Sequence, residues 1–123
     1  MLIEVLISVL IFSVGVIALV SLQASMTRAQ TDAKARADAS YLATELVGLM
    51  WADMAHLGNY TSAQCASTTQ CNMWLTKLGQ TLPLNTPPVI TIDTPTGDVT
   101  ILITWQPPNG EVRRYQMNTS IKS

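Results

Sequence analysis

The chain has 123 residues, a formal net charge of −1 and an apolar share of 48%, with seven Lys and Arg against eight Asp and Glu. This balance argues against a broad basic face of the kind that attracts nucleic acid or anionic lipid. The length allows one small domain and one anchor, because only about 95 residues remain outside the apolar N-terminal run.

The N-terminal run from Val5 to Thr27 contains no charged residue. It is longer than the roughly 20 helical residues that cross a bilayer core, so it predicts a membrane-spanning helix. A cleaved secretory signal is the main alternative, but its apolar region usually has only about 7 to 15 residues and follows a basic segment. We therefore predict a division into residues 1–27, a hydrophobic helix, and residues 28–123, a globular domain.

Glu4 is the one acid at the start of this apolar helix. An ionisable residue within a membrane segment is costly, and by default it is a functional candidate whose partner should be identified. The simpler interpretation is that Glu4 lies near enough to the end of the span to reach the headgroup region.

The same helix is predicted to continue to about Leu57, because no proline interrupts residues 2–57. Its second half carries charges of alternating sign and apolar residues at helical spacing, which predict a face that docks on a small domain. These apolar residues are Leu42, Leu46, Leu49, Met50 and Met54. Small residues also recur every four positions, at Ser25, Ala29, Ala33 and Ala37 and again at Ala35, Ala39 and Ala43. These repeats either allow another helix to approach closely or reflect only the helix propensity of alanine. Gly58 is predicted to end the long helix by taking the left-handed conformation.

Cys65 and Cys71 are the only cysteines, and they lie in a polar loop over residues 60–72. They fit a disulfide in an oxidising compartment and two free thiols equally well. Structural zinc needs four Cys or His ligands, and His56 is the only histidine, so the sequence argues against a zinc site. A short helix is predicted over residues 72–80, ended by Gly79.

The C-terminal third changes to a period of two. The segments "VITID" and "VTILITW" are separated by the turn "TPTGD", and the second segment places Val99, Ile101, Ile103 and Trp105 on one face. A second turn, "QPPNG", contains the strong hairpin signal Asn109-Gly110, and "EVRRYQMNTSI" follows as a third strand. The pattern predicts an α+β fold in which a long N-terminal helix packs on a small antiparallel sheet of three or four strands.

The opening "MLIEVLISVLIFSVGVIALVSLQ" resembles the N-terminal signature of type IV pilins, in which Phe-Thr-Leu-Ile-Glu begins the mature chain. Leu2, Ile3 and Glu4 match this signature residue by residue, and Met1 stands where the family has threonine. The basic leader that the prepilin peptidase removes is absent, so we expect that the native chain does not start at this Met1. The stretch from Ser21 to Met54 resembles the minor pilin group called PilV, and beyond Gly58 the resemblance is one of layout only.

The resemblance implies roles for several residues of the N-terminal helix. Glu4 would pair with the N-terminal amine of a neighbouring subunit and so set the axial stagger of adjacent helices. The side chains that would pack in the filament core are Leu2, Ile3, Val5, Leu6 and Phe12. The implied partners are other minor pilins, the major pilin, the inner-membrane assembly platform, the prepilin peptidase acting on the precursor, and membrane lipid before assembly.

The implied location is the bacterial inner membrane with a periplasmic globular domain, followed by the extracellular pilus. Arg28, Lys34 and Arg36 follow the span and no basic residue precedes it, so the positive-inside rule applied to this sequence would instead place the domain in the cytoplasm. A basic leader of the family type would reverse or balance that count.

Two alternatives to a structural role in the pilus tip or priming complex follow from the same residues. A minor pseudopilin of a type II secretion system shares the opening and the helix-then-sheet plan. A pilin that binds DNA or a surface for competence or adhesion would use Arg113, Arg114 and Lys122, with Tyr115 beside them, although charges on an edge strand also protect against aggregation. An enzyme is disfavoured, because the sequence shows no nucleophile-base arrangement, metal cluster or phosphate-binding glycine loop, and no cofactor is implied.

Overall fold

The computed structural model of the chain describes residues 1–83, 85–108 and 110–122. These residues form helix α1 (Leu2–Ala52), helix α2 (Thr69–Thr81) and strands β1 (Val89–Asp93), β2 (Asp98–Trp105) and β3 (Arg113–Ser120). Two short 3-10 segments, Met54–Tyr60 and Cys65–Ser67, lie between the helices. The chain divides into two compact units, Met1–Lys34 and Ala35–Ser123, which are described separately.

The first unit consists of Met1 and the part of α1 up to Lys34, and its side chains are exposed except for that of Asp32, which is partly buried. Within the described residues, α1 is the helix that is long and apolar enough to cross a membrane. A helix with exposed apolar side chains is stable in lipid for two reasons. Lipid solvates the apolar side chains, and the helix forms its backbone hydrogen bonds internally.

The second unit contains the hydrophobic core. Its part of α1 buries one face at helical spacing, namely Ala35, Ala39, Leu42, Ala43, Leu46 and Met50. This confirms the predicted core positions at Leu42, Leu46 and Met50, and Leu49 and Met54 pack against the same cluster while partly exposed. The second series of small residues therefore lies in the core of this domain.

The three strands form an antiparallel meander in the order β1-β2-β3. Strand β2 is central, and its buried residues alternate with half-exposed ones. The buried ones are Val99, Ile101, Ile103 and Trp105, which is the face predicted from the period of two. The predicted α+β fold, with a long N-terminal helix and a small antiparallel sheet, is confirmed.

The predicted end of the long helix at Gly58 is wrong. Helix α1 ends at Ala52, and Asp53 leaves the helical region with φ −130° and ψ 46°. An aspartate is unfavourable beside the negative end of the helix dipole, and here its carboxylate accepts hydrogen bonds from residues further along the chain. Gly58 lies inside the 3-10 segment, and Gly97 is the glycine with a positive φ among the described residues.

The bounds predicted for the second helix also need correction. Helix α2 runs from Thr69 to Thr81, so Gly79 lies within it and does not end it. The end comes at Leu82, whose extended conformation (φ −103°, ψ 136°) is the one favoured before a proline, here Pro83.

The first predicted turn is present, and the second falls partly outside the described residues. Gly97 has φ +75° and donates its backbone N–H to the Asp93 carbonyl oxygen at 2.7 Å, which closes the β1-β2 turn. Of the Asn109-Gly110 signal, Asn109 lies outside the described residues. Gly110 donates to the Pro107 carbonyl oxygen at 3.0 Å.

Candidate functional site

The first candidate site is the start of α1. Glu4 lies in the first helical turn, where a negative charge interacts favourably with the positive end of the helix dipole. Ser8 donates its hydroxyl to the Glu4 carbonyl oxygen at 2.9 Å, so the serine satisfies its polar group within the helix. The carboxylate of Glu4 itself projects from an exposed apolar helix. It is exposed, and none of the ion pairs found among the described residues involves it.

The apolar residues around Glu4 are all exposed. Those that the resemblance assigns to filament packing are Leu2, Ile3, Val5, Leu6 and Phe12, and each has well over half of its surface accessible. Among the described residues nothing covers these side chains, so this surface is free to contact lipid or other helices.

One face of the apolar helix combines Glu4 with small residues. With about 3.6 residues per turn, a spacing of alternately four and three residues returns to the same face. Starting from Glu4, this spacing selects Ser8, Ile11, Gly15, Ala18 and Leu22. A Cβ added at Gly15 would meet nothing within 4 Å, so this face has a shallow point at which another helix could approach closely. This spacing of alternately four and three residues can be read from the sequence, whereas the repeats of four described above drift off one face.

Cys65 and Cys71 form a disulfide, with their Cα atoms 5.0 Å apart. The sequence left open a disulfide and two free thiols, and the structure contains the disulfide. Both cysteines are buried, and the bond joins the 3-10 segment Cys65–Ser67 to the first turn of α2. The disulfide thus shapes the loop that leads into α2, which is a structural role.

A small polar network at the end of α1 was not predicted from the sequence. Asp53 accepts from His56 Nδ1 at 2.8 Å and from the hydroxyl of Tyr60 at 3.3 Å. Burial, followed by the charge and hydrogen bond of Asp53, raises the pKa of Tyr60 above its ordinary value of 10.0. The network holds the chain where it leaves α1, and no sequence motif marks it, because the three residues meet only through the kinked 3-10 segment.

His56 therefore serves as a partner of Asp53, on a side chain that is 63% exposed. Within the described ranges, no group of three or more His, Cys, Asp or Glu side chains is placed to hold a metal ion. This region thus contains an exposed hydrogen bond between His56 and Asp53 and a second one from the Tyr60 hydroxyl.

The predicted basic cluster is not assembled by the fold. Arg113 and Arg114 are consecutive in β3, so their side chains point to opposite faces of the sheet. Arg113 lies opposite Trp105 and Arg114 lies opposite Thr104, both at the beginning of β3. Lys122 follows the other end of the strand, beside the β1-β2 turn. Arg113 thus lies on a different face from Arg114, and Lys122 lies at the far end of the strand.

Three comparisons with known proteins are negative: no family model, curated protein or solved structure matches this chain. The functional argument therefore depends on the residues and on the geometry just described.

Proposed function

We propose that this chain is a minor subunit of a type IV pilus, similar to the PilV group, that takes part in the tip or priming complex which starts pilus assembly. The observation that carries the proposal is the unbroken helix Leu2–Ala52, whose apolar first part bears one acid in its first turn and whose second part forms a core with a small sheet. Before assembly the apolar part would lie in the inner membrane. After assembly it would pack in the filament core.

The role of Glu4 follows from the cost of its charge. An acid in hydrocarbon costs a few kcal/mol on insertion scales, and an N-terminal ammonium there is costly too. When the two meet in an apolar helix bundle they attract strongly, so pairing removes much of both costs. An amine supplied by a neighbouring subunit would thus fix how far one helix is shifted along the next.

The face that carries Glu4 suits such a contact. Ser8, Gly15 and Ala18 are small, so a neighbouring helix can lie close enough for the carboxylate to reach a charged group on it. The bulky side chains on the other faces suit contact with lipid or with more distant helices.

The globular unit suits a location outside the cytoplasm. Its Cys65–Cys71 disulfide is of the kind that persists in the periplasm and at cell surfaces. The disulfide supports a periplasmic domain before assembly and an extracellular domain afterwards. The count of basic residues around the span predicts the opposite, a cytoplasmic domain.

The test is incorporation into filaments. We expect the Glu4→Leu variant of the tagged full-length protein to fold and to remain in the membrane fraction, but to be depleted from sheared pilus fractions. Ser13→Leu is the matched control, because Ser13 lies on the opposite side of the helix and the change also replaces a polar residue by an apolar one. Recovery of both variants at the wild-type level in pili would contradict the role of Glu4.

The partners distinguish this proposal from its nearest alternative. Tagged full-length protein should co-purify with pilins and components of the pilus assembly platform, as identified by mass spectrometry. Co-purification with proteins of a type II secretion system would instead identify a minor pseudopilin.

A further inference from the structure

The two edges of the sheet differ. At the β1 edge, Ser62 donates its backbone N–H to the Ile90 carbonyl oxygen at 3.2 Å, and Ile90 donates its own N–H to the Ser62 hydroxyl at 2.6 Å. The loop before α2 therefore occupies the outward hydrogen-bonding groups of Ile90, in the middle part of β1. Ile92 is the other residue of β1 whose backbone groups face outward, so the chain itself covers this edge in part.

At the β3 edge, the corresponding groups have no such cover. Ile121 donates its N–H to the Gly97 carbonyl oxygen at 2.8 Å, so Gly97 and Ile121 form a hydrogen-bonded pair. From this pair onward, non-hydrogen-bonded and hydrogen-bonded residue pairs alternate along β2 and β3. The residues of β3 whose N–H and C=O point away from β2 are consequently Arg114, Gln116, Asn118 and Ser120. In the part of the chain that the structure describes, no hydrogen bond reaches the backbone groups of these four residues.

Strand β3 is packed against the domain on one face in spite of its open edge. Tyr115 and Met117 pack against the core while remaining partly exposed, and the Tyr115 hydroxyl donates to the Ser40 hydroxyl on α1 at 3.3 Å. Between Tyr115 and Ser120 the strand has neither a charge nor a proline, the usual devices that keep an edge from pairing. The edge is thus an ordered template for another strand.

The charges beside this edge are complementary at its two ends. Arg114 lies on the outer face at the beginning of β3. At the other end, Asp98 lies on the same face opposite Ser120 and Asp93 pairs with Asp98, so two carboxylates outnumber the single amine of Lys122 there. Within the described ranges neither Arg114 nor Asp98 takes part in an ion pair. A strand that runs antiparallel to β3 and carries the same sequence would bring the basic end of one copy to the acidic end of the other.

We propose that the open edge of β3 pairs antiparallel with β3 of a second copy of this chain, in the register that places Met117 opposite Met117. In this register Gln116 faces Asn118, Arg114 faces Ser120, and all the outward backbone groups of both strands pair, giving about eight hydrogen bonds. The Arg114 side chain then reaches past Ser120 to Asp98 of the other copy. A register that placed Arg114 opposite Arg114 would form fewer hydrogen bonds and would oppose like charges.

This self-association depends only on the unit Ala35–Ser123 and is independent of the role proposed for Glu4. If the Glu4→Leu variant assembled normally, the proposal of β3 pairing would still stand. Conversely, loss of β3 pairing would not alter the argument for a pilus subunit.

A cysteine at the centre of the paired strands tests the register. In the proposed register Met117 and its copy form a non-hydrogen-bonded pair, the class in which the side chains lie closest. We expect full-length Met117→Cys, purified in detergent, to form a covalent dimer on mild oxidation, with peptide mapping showing a bond between the two introduced cysteines. Thr91→Cys, on the edge strand β1 that the Ser62 loop partly covers, is the matched control. Equal dimer yields from the two variants would overturn the proposal.

Charge reversal tests whether the strand that pairs with β3 is β3 of a second copy of this chain. Arg114→Asp, added to the Met117→Cys chain, should lower the dimer yield by about fivefold, which corresponds to about 0.5 kcal/mol for each of the two symmetric ion pairs that it removes. Adding Asp98→Arg should restore the yield, because both variants then present opposite charges again. Circular dichroism shows whether each variant is folded, and an unchanged yield in a folded Arg114→Asp chain would contradict the contact. In cells, the cysteine of the Met117→Cys chain could form a cross-link to a different protein and none to a second copy of the chain. That result would contradict pairing between two copies.

Discussion

The indole N–H of Trp74 on α2 donates a hydrogen bond of 2.7 Å to the backbone carbonyl oxygen of Leu42 on α1. Both residues are almost fully buried. The bond satisfies a polar group that would otherwise be costly in the core, and it fixes where α2 lies against α1. Further out, Lys77 pairs with Glu45 at 2.8 Å at the exposed rim of the same contact.

We therefore expect Trp74→Phe to lower the free energy of unfolding by about 2 kcal/mol, because it removes the donor and leaves a small cavity where the five-membered ring was. Trp74→Ala should cost about 3–5 kcal/mol, since it leaves a larger cavity. Urea unfolding of the full-length protein in detergent, followed by near-ultraviolet circular dichroism, measures both. Trp51→Phe is the control, because Trp51 is 46% exposed and its replacement should change stability by less than about 0.5 kcal/mol. Equal stability of Trp74→Phe and Trp51→Phe would contradict the importance of the hydrogen bond.

Gly97 is the glycine whose replacement should be most damaging. It has φ +75°, and a Cβ at this position would collide with the backbone carbonyl oxygen of Ile121. Backbone atoms of a paired strand cannot move aside cheaply, so we expect Gly97→Ala to destabilise the domain by more than about 2 kcal/mol.

Gly79→Ala provides the matched control for Gly97→Ala. Gly79 lies inside α2, and a Cβ added there would meet nothing within 4 Å. The same substitution should stabilise the protein by about 0.5–1 kcal/mol, because alanine favours the helix and restricts the unfolded chain. A similar effect of both substitutions on the urea midpoint would show that backbone conformation at Gly97 is not decisive.

The sequence was sufficient for features that depend on periodicity. The buried face of α1 and the alternation of β2 follow from spacings of 3.6 and 2 residues, and the turn at Gly97 follows from local turn chemistry. The separation of Arg113 from Arg114 could also have been read from that alternation, since consecutive strand residues point to opposite faces.

Other features depend on contacts that no sequence motif marks, whether the residues are near in sequence or far apart. Asp53 lies at the end of α1 and accepts hydrogen bonds from His56 and Tyr60, and Ser62 covers part of the β1 edge by bonding to Ile90, 28 positions away. Neither contact has a local signature, so the end of the helix and the difference between the two edges were not predicted. The partner of Glu4 stays a prediction, because it would belong to another molecule.

The disulfide should contribute measurably to stability. It closes a loop between Cys65 and Cys71, which are six positions apart, and the chain-entropy model gives about 2 kcal/mol for a loop of this size. We expect the double variant Cys65→Ala/Cys71→Ala to lose at least that amount in urea unfolding. Because both cysteines are buried, a reducing agent should act on the wild type only under conditions that unfold the domain. Rapid reduction of the folded protein, without loss of near-ultraviolet signal, would contradict this.

The raised pKa of Tyr60 predicts a loss of stability at alkaline pH. Tyr60 is 1% exposed, and burial together with Asp53 keeps its hydroxyl protonated above the ordinary pKa of 10.0. Below pH 10 both folded and unfolded chains hold this proton, so the group adds no pH dependence there. Above pH 10 the unfolded chain releases the proton while the folded chain retains it, so the free energy of unfolding should fall as pH rises. Tyr60→Phe should flatten this decline, whereas Tyr41→Phe, at a position that is 63% exposed, should not. An equally steep decline in Tyr60→Phe between pH 9 and about 11 would assign the effect to another group.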